Sequence, residues 1–288
     1  MLLWQVSADK ASSIVILAEA GDADRADAET LRCVIALESF EKGLNGHIVA
    51  EVRDIDNEPL VRLMGGRDVE TMVSHDVLGR LMLMSARQPG LASVYQEVLG
   101  FDGDEFYMKD WPELTGVPFG DLVNHFPCAI PVGLRTRTGQ MVLKPANDRK
   151  LRSGEEVIVI AEDDDTYNAE PRMDIPVGEV PEYEEPEKRP EKILFCGWRR
   201  DVRDVLLHLD ELVEPGSQVH MMTDALPMEQ RDIRLREEGL DTRQLTNLDS
   251  THKAGNTSVR RKLMMLPIEE YTSCMIFAEQ QYEQGKMV

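Results

Sequence analysis

The stretch from Lys192 to Leu206, KILFCGWRRDVRDVL, restricts the fold more than any other part of the chain. An uninterrupted apolar run, Ile193 to Cys196, stops at Gly197, and a charged pattern follows at once. Such runs belong to strands covered on both faces, as in parallel sheets. Beyond Arg200, Val202, Val205, Leu206 and Leu209 recur at three and four residues opposite Asp201, Arg203 and Asp204, the pattern of a helix with one buried stripe. A parallel strand handing over to its helix implies an α/β protein. A dinucleotide turn would read G-x-G-x-x-G, but Arg199 and Val202 stand at the second and third glycine places. The fold is therefore expected without that cofactor site, and no dinucleotide is expected. Arg199 and Arg200 are better suited to an acidic neighbour or a structural salt bridge.

The same alternation occurs earlier. Ser12–Ala18, His47–Val52 and Val69–Val73 read as strands, separated by helices over about Ala26–Leu37 and Asn57–Met64, a β-α-β-α-β order that implies a parallel sheet. No glycine-rich turn precedes Ser12, so the first strands are expected upstream. Leu78 to Leu99 reads as two helices broken at Gln88-Pro89-Gly90, with another subunit as the expected neighbour of this apolar pair. Short strands at Phe106–Trp111, Ile130–Arg135, Gln140–Leu143 and Val157–Ala161, with a helix over Phe119–Phe126, form a small α+β lobe. From Glu162 to Glu191 there are 12 acids, 3 bases and 5 of the chain's 15 prolines, the composition of an extended, self-repelling linker. The second sheet continues with Gln218–Met222, a helix over Met228–Glu238, a weak strand at Arg243–Leu248, a helix over Ser258–Leu266 and a strand at Ser273–Ala278. The expected division is a partial Rossmann-like lobe (1–77), a helix-turn-helix crossover (78–100), the α+β lobe (101–166), the linker (167–190) and a second partial Rossmann-like lobe (191–288), with both sheets truncated.

With 53 acids against 32 bases, the net charge of -21 opposes nucleic-acid binding through phosphate neutralisation. No stretch approaches the roughly 18 apolar residues of a membrane helix. Cys33, Cys128, Cys196 and Cys274 never form a C-x-x-C pair, which fits a reducing compartment. The hydrolase, zinc-protease and Walker A motifs are absent, so no enzyme is expected. An EF-hand loop begun at Asp54 would supply Asp56 and Glu58 but places Pro59 and Gly65 where glycine and glutamate are required. Glu162, Asp163, Asp164 and Asp165 form the strongest candidate for a hard cation, which would relieve their mutual repulsion. Asp54, Asp56 and Glu58, at a strand's carboxyl end, come second.

The chain resembles the CASTOR/POLLUX/DMI1 family of ion channels, whose cytoplasmic gating modules are tandem domains regulating potassium conductance (RCK). The resemblance rests on DNEPLV (56–61), GRLM (79–82), QPGLA (88–92), AEDDDTY (161–167) and PEKILFCGWRRD (190–201). It implies a tetrameric gating ring beneath a pore that this chain lacks, and Ca2+ as the regulating ion. It further implies attachment to a membrane, the nuclear envelope in a plant, and a role in root symbiosis signalling. Two other readings use the same sheet: a nucleotide-binding regulatory subunit of a potassium transporter, or an NAD(P)-dependent oxidoreductase.

Overall fold

The computed structural model describes residues 7–40, 44, 46–66, 69–100, 103–173, 178 and 187–278. Half of the expected linker, residues 174–177 and 179–186, and the tail from 279 onward, including the YEQGKMV segment, lie outside the described residues. The chain forms two compact units, residues 1–88 with 187–288, and residues 89–186.

The first unit opens with β1 (Ser13–Ile16), α1 (Ala23–Glu38), β2 (His47–Val52), α2 (Glu58–Gly65) and β3 (Val69–Val73). The strands are parallel in the order β1-β2-β3, with Ile48 of β2 opposite Ile14 and Val69. Ile48, Ala50 and Val52 are fully buried and alternate with more exposed neighbours, the period-two pattern of a strand packed on one face. The Asp22 side chain caps α1 by accepting the Arg25 N–H at 3.1 Å. Helix α1 buries Ala23, Ala26, Thr30, Val34 and Leu37 along one stripe. At the end of α2, a Cβ on Gly65 would lie 2.4 Å from Val69, so glycine is needed for the chain to double back into β3. The next helix, α3 (Ser74–Arg87), starts four residues ahead of the expected position, and His75 therefore sits in its first turn.

The second unit contains α4 (Leu91–Leu99), β4 (Glu105–Asp110), α5 (Phe119–Leu122), β5 (Ile130–Arg135), β6 (Met141–Leu143) and β7 (Glu156–Ala161). Its sheet is antiparallel in the order β4-β7-β5-β6, which matches the small α+β lobe expected from the sequence. Helix α5 is shorter than expected because the chain tightens into a 3-10 turn at Val123–His125. Leu114, Leu122, Leu134, Val157, Val159 and Tyr167 make the core. Trp111 meets Phe126 edge-on at 5.6 Å. Glu155, 3% exposed, accepts from Arg149 at 2.7 and 3.0 Å and from the Arg152 N–H at 3.0 Å. The Arg149 guanidinium holds its carboxyl below the usual range, against the opposing effect of burial. The start of the expected linker is docked onto this unit. Tyr167 is buried, and Glu170 and Met173 donate their N–H groups to His125 and Asn124.

The first unit resumes with β8 (Lys192–Cys196), α6 (Val202–Leu212), β9 (Ser217–Thr223), α7 (Met228–Glu237), β10 (Leu248–Ala254), α8 (Arg260–Leu263) and β11 (Ser273–Ile276). These strands are parallel in the order β10-β9-β8-β11. The strand expected at Arg243–Leu248 begins instead at Leu248. Asp210 collects the N–H groups of Thr246, Asn247 and Leu248, and Asp241 collects that of Arg243, so the preceding stretch is a capped loop. Only four residues of the expected Ser258–Leu266 helix are α-helical.

One face of this second sheet packs Ile193, Phe195, Val219, Met221 and Met275 against Val202, Val205, Leu206 and Leu209 of α6. Leu83 of α3, 1% exposed, is part of the same core, with Met82 and Ala86 beside it. The expectation that another subunit receives this helix is therefore corrected for α3: its neighbour is the second sheet of its own chain. A Cβ on Gly79 would stand 3.1 Å from Val205, so the small residue sets how closely α3 approaches α6. The two parallel-sheet lobes, distant in sequence, thus share one unit.

Candidate functional site: a charged seam between the parallel sheets

The seam lies where the carboxyl ends of β2 and β3 meet the start of α6, the region in which open α/β sheets place their functional groups. Its shape begins with Asp27, 3% exposed on the buried stripe of α1. The Asp27 carboxylate accepts the N–H groups of Arg53 and Asp54 at 2.7 and 3.0 Å and the Asn57 side-chain amide at 2.9 Å. That clasp fixes the loop after β2. Asp54 in turn accepts the Asp56 N–H at 3.0 Å, and Arg53 reaches the Glu19 and Gly21 carbonyls at 3.0 and 3.2 Å.

From the other lobe, Arg200 donates to Asp54, and Arg203 lies 3.3 Å from Asp56. Farther along, His208 of α6 meets Asp76 of α3 at 2.9 Å, and Arg80 reaches the same carboxylate at 2.9 Å. Arg87 and Glu191 pair at 2.7 Å. Four charged contacts, Asp54–Arg200, Asp56–Arg203, Asp76–His208 and Arg87–Glu191, therefore tie the first lobe and its helix to the second. Asp54, Asp56, Asp76, Arg200 and Arg203 line an open cleft that also receives His75, Arg234 and Glu238.

The electrostatics are crowded. Burial raises Asp204, opposed by neighbouring Arg203 and reinforced by Asp201, Asp56 and Asp76. Burial also raises Glu238, against the pull of Arg234, Arg200 and Arg203. Two acids at the seam are thus held closer to their neutral forms than in water. The turn after Gly197 is filled from within. Arg199 and Asp201, both 7% exposed, form a bidentate ion pair, and the Arg199 guanidinium lies 5.5 Å from the Phe277 ring centre. Arg199 and Arg200 both form ion pairs with an acidic residue, as expected from the sequence. Arg231, 1% exposed, donates to the Thr223, Leu226 and Lys253 carbonyls and so caps the ends of β9 and β10.

The sequence-derived acids fall in two places. Glu162, Asp163, Asp164 and Asp165 form an exposed turn between buried Ala161 and buried Tyr167. Asp164 pairs with Lys109 at 3.1 Å, and the Asp163 carboxylate accepts the Asp164 N–H at 2.6 Å. Asp54 and Asp56 belong to the seam, whereas Glu58 turns to Arg62 and Thr71, each at 2.7 Å. Among the described residues no three or more His, Cys, Asp or Glu side chains are arranged to hold a metal ion. As arranged, the carboxylates of Asp54, Asp56, Glu58, Asp163 and Asp164 are engaged with cations, a hydroxyl or backbone N–H groups. Asp27, Asp76, His208 and Glu238 did not stand out in the sequence. Asp27 alone had a signal, an acid on the stripe shared with Ala23, Thr30, Val34 and Leu37.

Residues 75–177 match the family model described as "Castor and Pollux, part of voltage-gated ion channel". The chain is 46% identical to "Probable ion channel POLLUX" of Oryza sativa subsp. japonica over 98% of its own length and 29% of that protein's. By sequence, it belongs to the Castor and Pollux family. "Ion channel CASTOR" of Lotus japonicus is 46% identical over 98% of this chain and 33% of its own length, and "Ion channel DMI1" of Medicago truncatula is 45% identical over 98% and 32%. The chain thus spans about a third of the length of these Castor and Pollux relatives. Among solved structures, the GsuK RCK domain is similar over 55% of this chain and 32% of its own, at 17% identity and a TM-score of 0.22, too slight a likeness to carry weight. Among the described residues no helix is long and apolar enough to cross a membrane.

Proposed function

We propose that this chain is the regulatory, gating-ring region of a calcium-regulated cation channel, in which the seam between the two parallel-sheet lobes is the element that changes. The carrying observation is that the lobes are joined by few, partly exposed ion pairs around one buried anchor, Leu83. Exposed pairs contribute only about 0.2–1 kcal/mol each. A contact built this way can switch between two arrangements at a cost a ligand can meet, and a ligand shifts such an equilibrium only through its different affinity for the two states. The proposal places four copies in a ring attached to a membrane pore, at the nuclear envelope if the source is a plant.

Calcium is the proposed regulating ion, with Glu162, Asp163, Asp164 and Asp165 as the first set and Asp54, Asp56 and Glu58 as the second. Binding at either would require these carboxylates to leave their present partners, Lys109 in the first case and Arg200 and Arg203 in the second. Only the second would report directly on the seam. Calorimetry with calcium on the purified chain tests the assignment, using one variant with residues 162–165 changed to alanine and another carrying Asp54→Asn and Asp56→Asn. Loss of heat in one variant identifies its set; unaltered heat in both removes the two assignments. Heat protection by adenine or nicotinamide nucleotides, with none by calcium, would favour the transporter-subunit or oxidoreductase reading instead.

A further inference from the structure

Cys196 is the last residue of β8, and Cys274 lies on the neighbouring β11. The parallel register pairs Cys274 with Leu194 and Ile276 with Cys196, so both thiols project from one face of the sheet. Their sulphurs stand 3.8 Å apart. Cys196 is buried with Leu194 and Met222 beneath Leu263, Leu266 and Tyr271, whereas Cys274 is exposed. From these positions we infer that Cys196 and Cys274 form a reversible dithiol–disulfide site, oxidised by hydrogen peroxide, with Cys274 attacking and Cys196 resolving.

A disulfide has its sulphurs about 2.05 Å apart, so closure needs an approach of about 1.8 Å. The register sets the two cysteines diagonally on adjacent strands, about 7–8 Å apart at Cα, so the end of β11 must also shift toward β8 as the bond forms. The roles follow from the surroundings. The Cys196 hydrogen bond holds Cys274 down to about 7, against the opposing effect of burial. The same hydrogen bond, then burial, pushes Cys196 up. The exposed sulphur is therefore the one available as thiolate near neutral pH, and the thiolate is the nucleophile. It attacks one peroxide oxygen, the O–O bond breaks, and the products are a sulfenic acid on Cys274 and hydroxide. The Cys196 sulphur then attacks the sulfenic sulphur. An S–S bond forms, the S–O bond breaks, and the departing hydroxide takes the Cys196 proton as water. Two thiols lose two electrons in all, and one peroxide becomes two waters. The bridge would tie β11 to β8 beside the turn carrying Arg199 and Arg200. A reducing compartment returns the dithiol. The inference is independent of the channel reading.

The test is oxidation of the purified chain with near-stoichiometric hydrogen peroxide, followed by peptide mapping with and without dithiothreitol. The expected product is a Cys196–Cys274 cross-link that dithiothreitol reverses, with Cys274 lost at least about fivefold faster than exposed Cys128. Cys196→Ser should abolish the cross-link and leave a sulfenic acid on Cys274 that dimedone traps. Cys274→Ser, a change at an exposed position, should abolish the cross-link and leave Cys196 slow to react. The inference is overturned if Cys128 or Cys33 oxidises as fast as Cys274, or if the wild-type chain carries no bond between the two cysteines.

Discussion

Leu83→Ala probes the contact that makes one unit of two distant lobes. Leu83 is 1% exposed and lies in the core built around Phe195, Val205, Leu206 and Met275. Truncating a buried leucine costs about 2–5 kcal/mol, from lost transfer energy and the cavity left behind. Helix propensity offsets almost none of it, because alanine and leucine are both strong helix formers. The packed surroundings, with Met82 and Ala86 on one side and α6 on the other, leave little room to collapse, so we expect about 3 kcal/mol. Urea unfolding followed by tryptophan fluorescence measures it. Trp198 is fully buried in the same core, and Trp111→Phe removes the reporter of the other unit. Leu78→Ala, on the same helix but 46% exposed, should change stability by less than about 0.5 kcal/mol. A Leu83→Ala cost below about 1 kcal/mol would refute the packing. A cost that varies with protein concentration would return the helix to another subunit.

The clasp at Asp27 predicts that Asp27→Asn, which replaces one acceptor oxygen with a donor facing the Arg53 N–H, destabilises the chain by about 2 kcal/mol in the same urea assay. Arg231→Met should cost about 3 kcal/mol, because the Thr223, Leu226 and Lys253 carbonyls at the ends of β9 and β10 lose a buried partner. Burial tends to raise Asp210, but the hydrogen bonds from Thr246, Asn247 and Leu248 prevail and its carboxyl is held below the usual range. The folded state then binds its proton less readily than the unfolded state. The stability it contributes is present above the ordinary aspartate value of about 3.9 and is lost as pH falls through the depressed one. Asp210→Asn should flatten that acid limb in thermal melts. Asp204 carries the opposite sign: burial raises it, so its contribution is greatest when protonated and declines as pH rises through the raised value. Asp204→Asn should raise the melting temperature at neutral pH, and a fall would contradict the assignment.

Much of the architecture was legible because periodicity reports burial. The apolar run at Ile193–Cys196 and the alternation at His47–Val52 located their strands, and Gln88-Pro89-Gly90 located the break between helices. Local capping was harder to see. The Arg243–Leu248 stretch looked strand-like, yet Asp210 gathers its backbone N–H groups from 36 to 38 residues away. The seam was hidden for a similar reason. Asp54 and Arg200 are 146 residues apart, and a single sequence gives no sign that two charged loops face each other. The neighbour of α3 was misassigned because an apolar stripe announces that it must be covered without saying by what. The pairing of Cys196 with Cys274 needed the strand order β8-β11, which no spacing encodes.

The seam is proposed to carry the regulatory equilibrium, and exchanging its best-placed charges tests this most directly. Arg200 and Asp54 are 35% and 22% exposed, so their pair is worth about 1 kcal/mol, roughly fivefold in an equilibrium. On the proposed function, in currents recorded across a bilayer from a channel that carries this chain, Asp54→Arg and Arg200→Asp should each shift the calcium concentration for half-maximal opening by about that factor. The double exchange should restore most of it. Indistinguishable currents from all four proteins, or single shifts that the double exchange merely adds together, would contradict the claim.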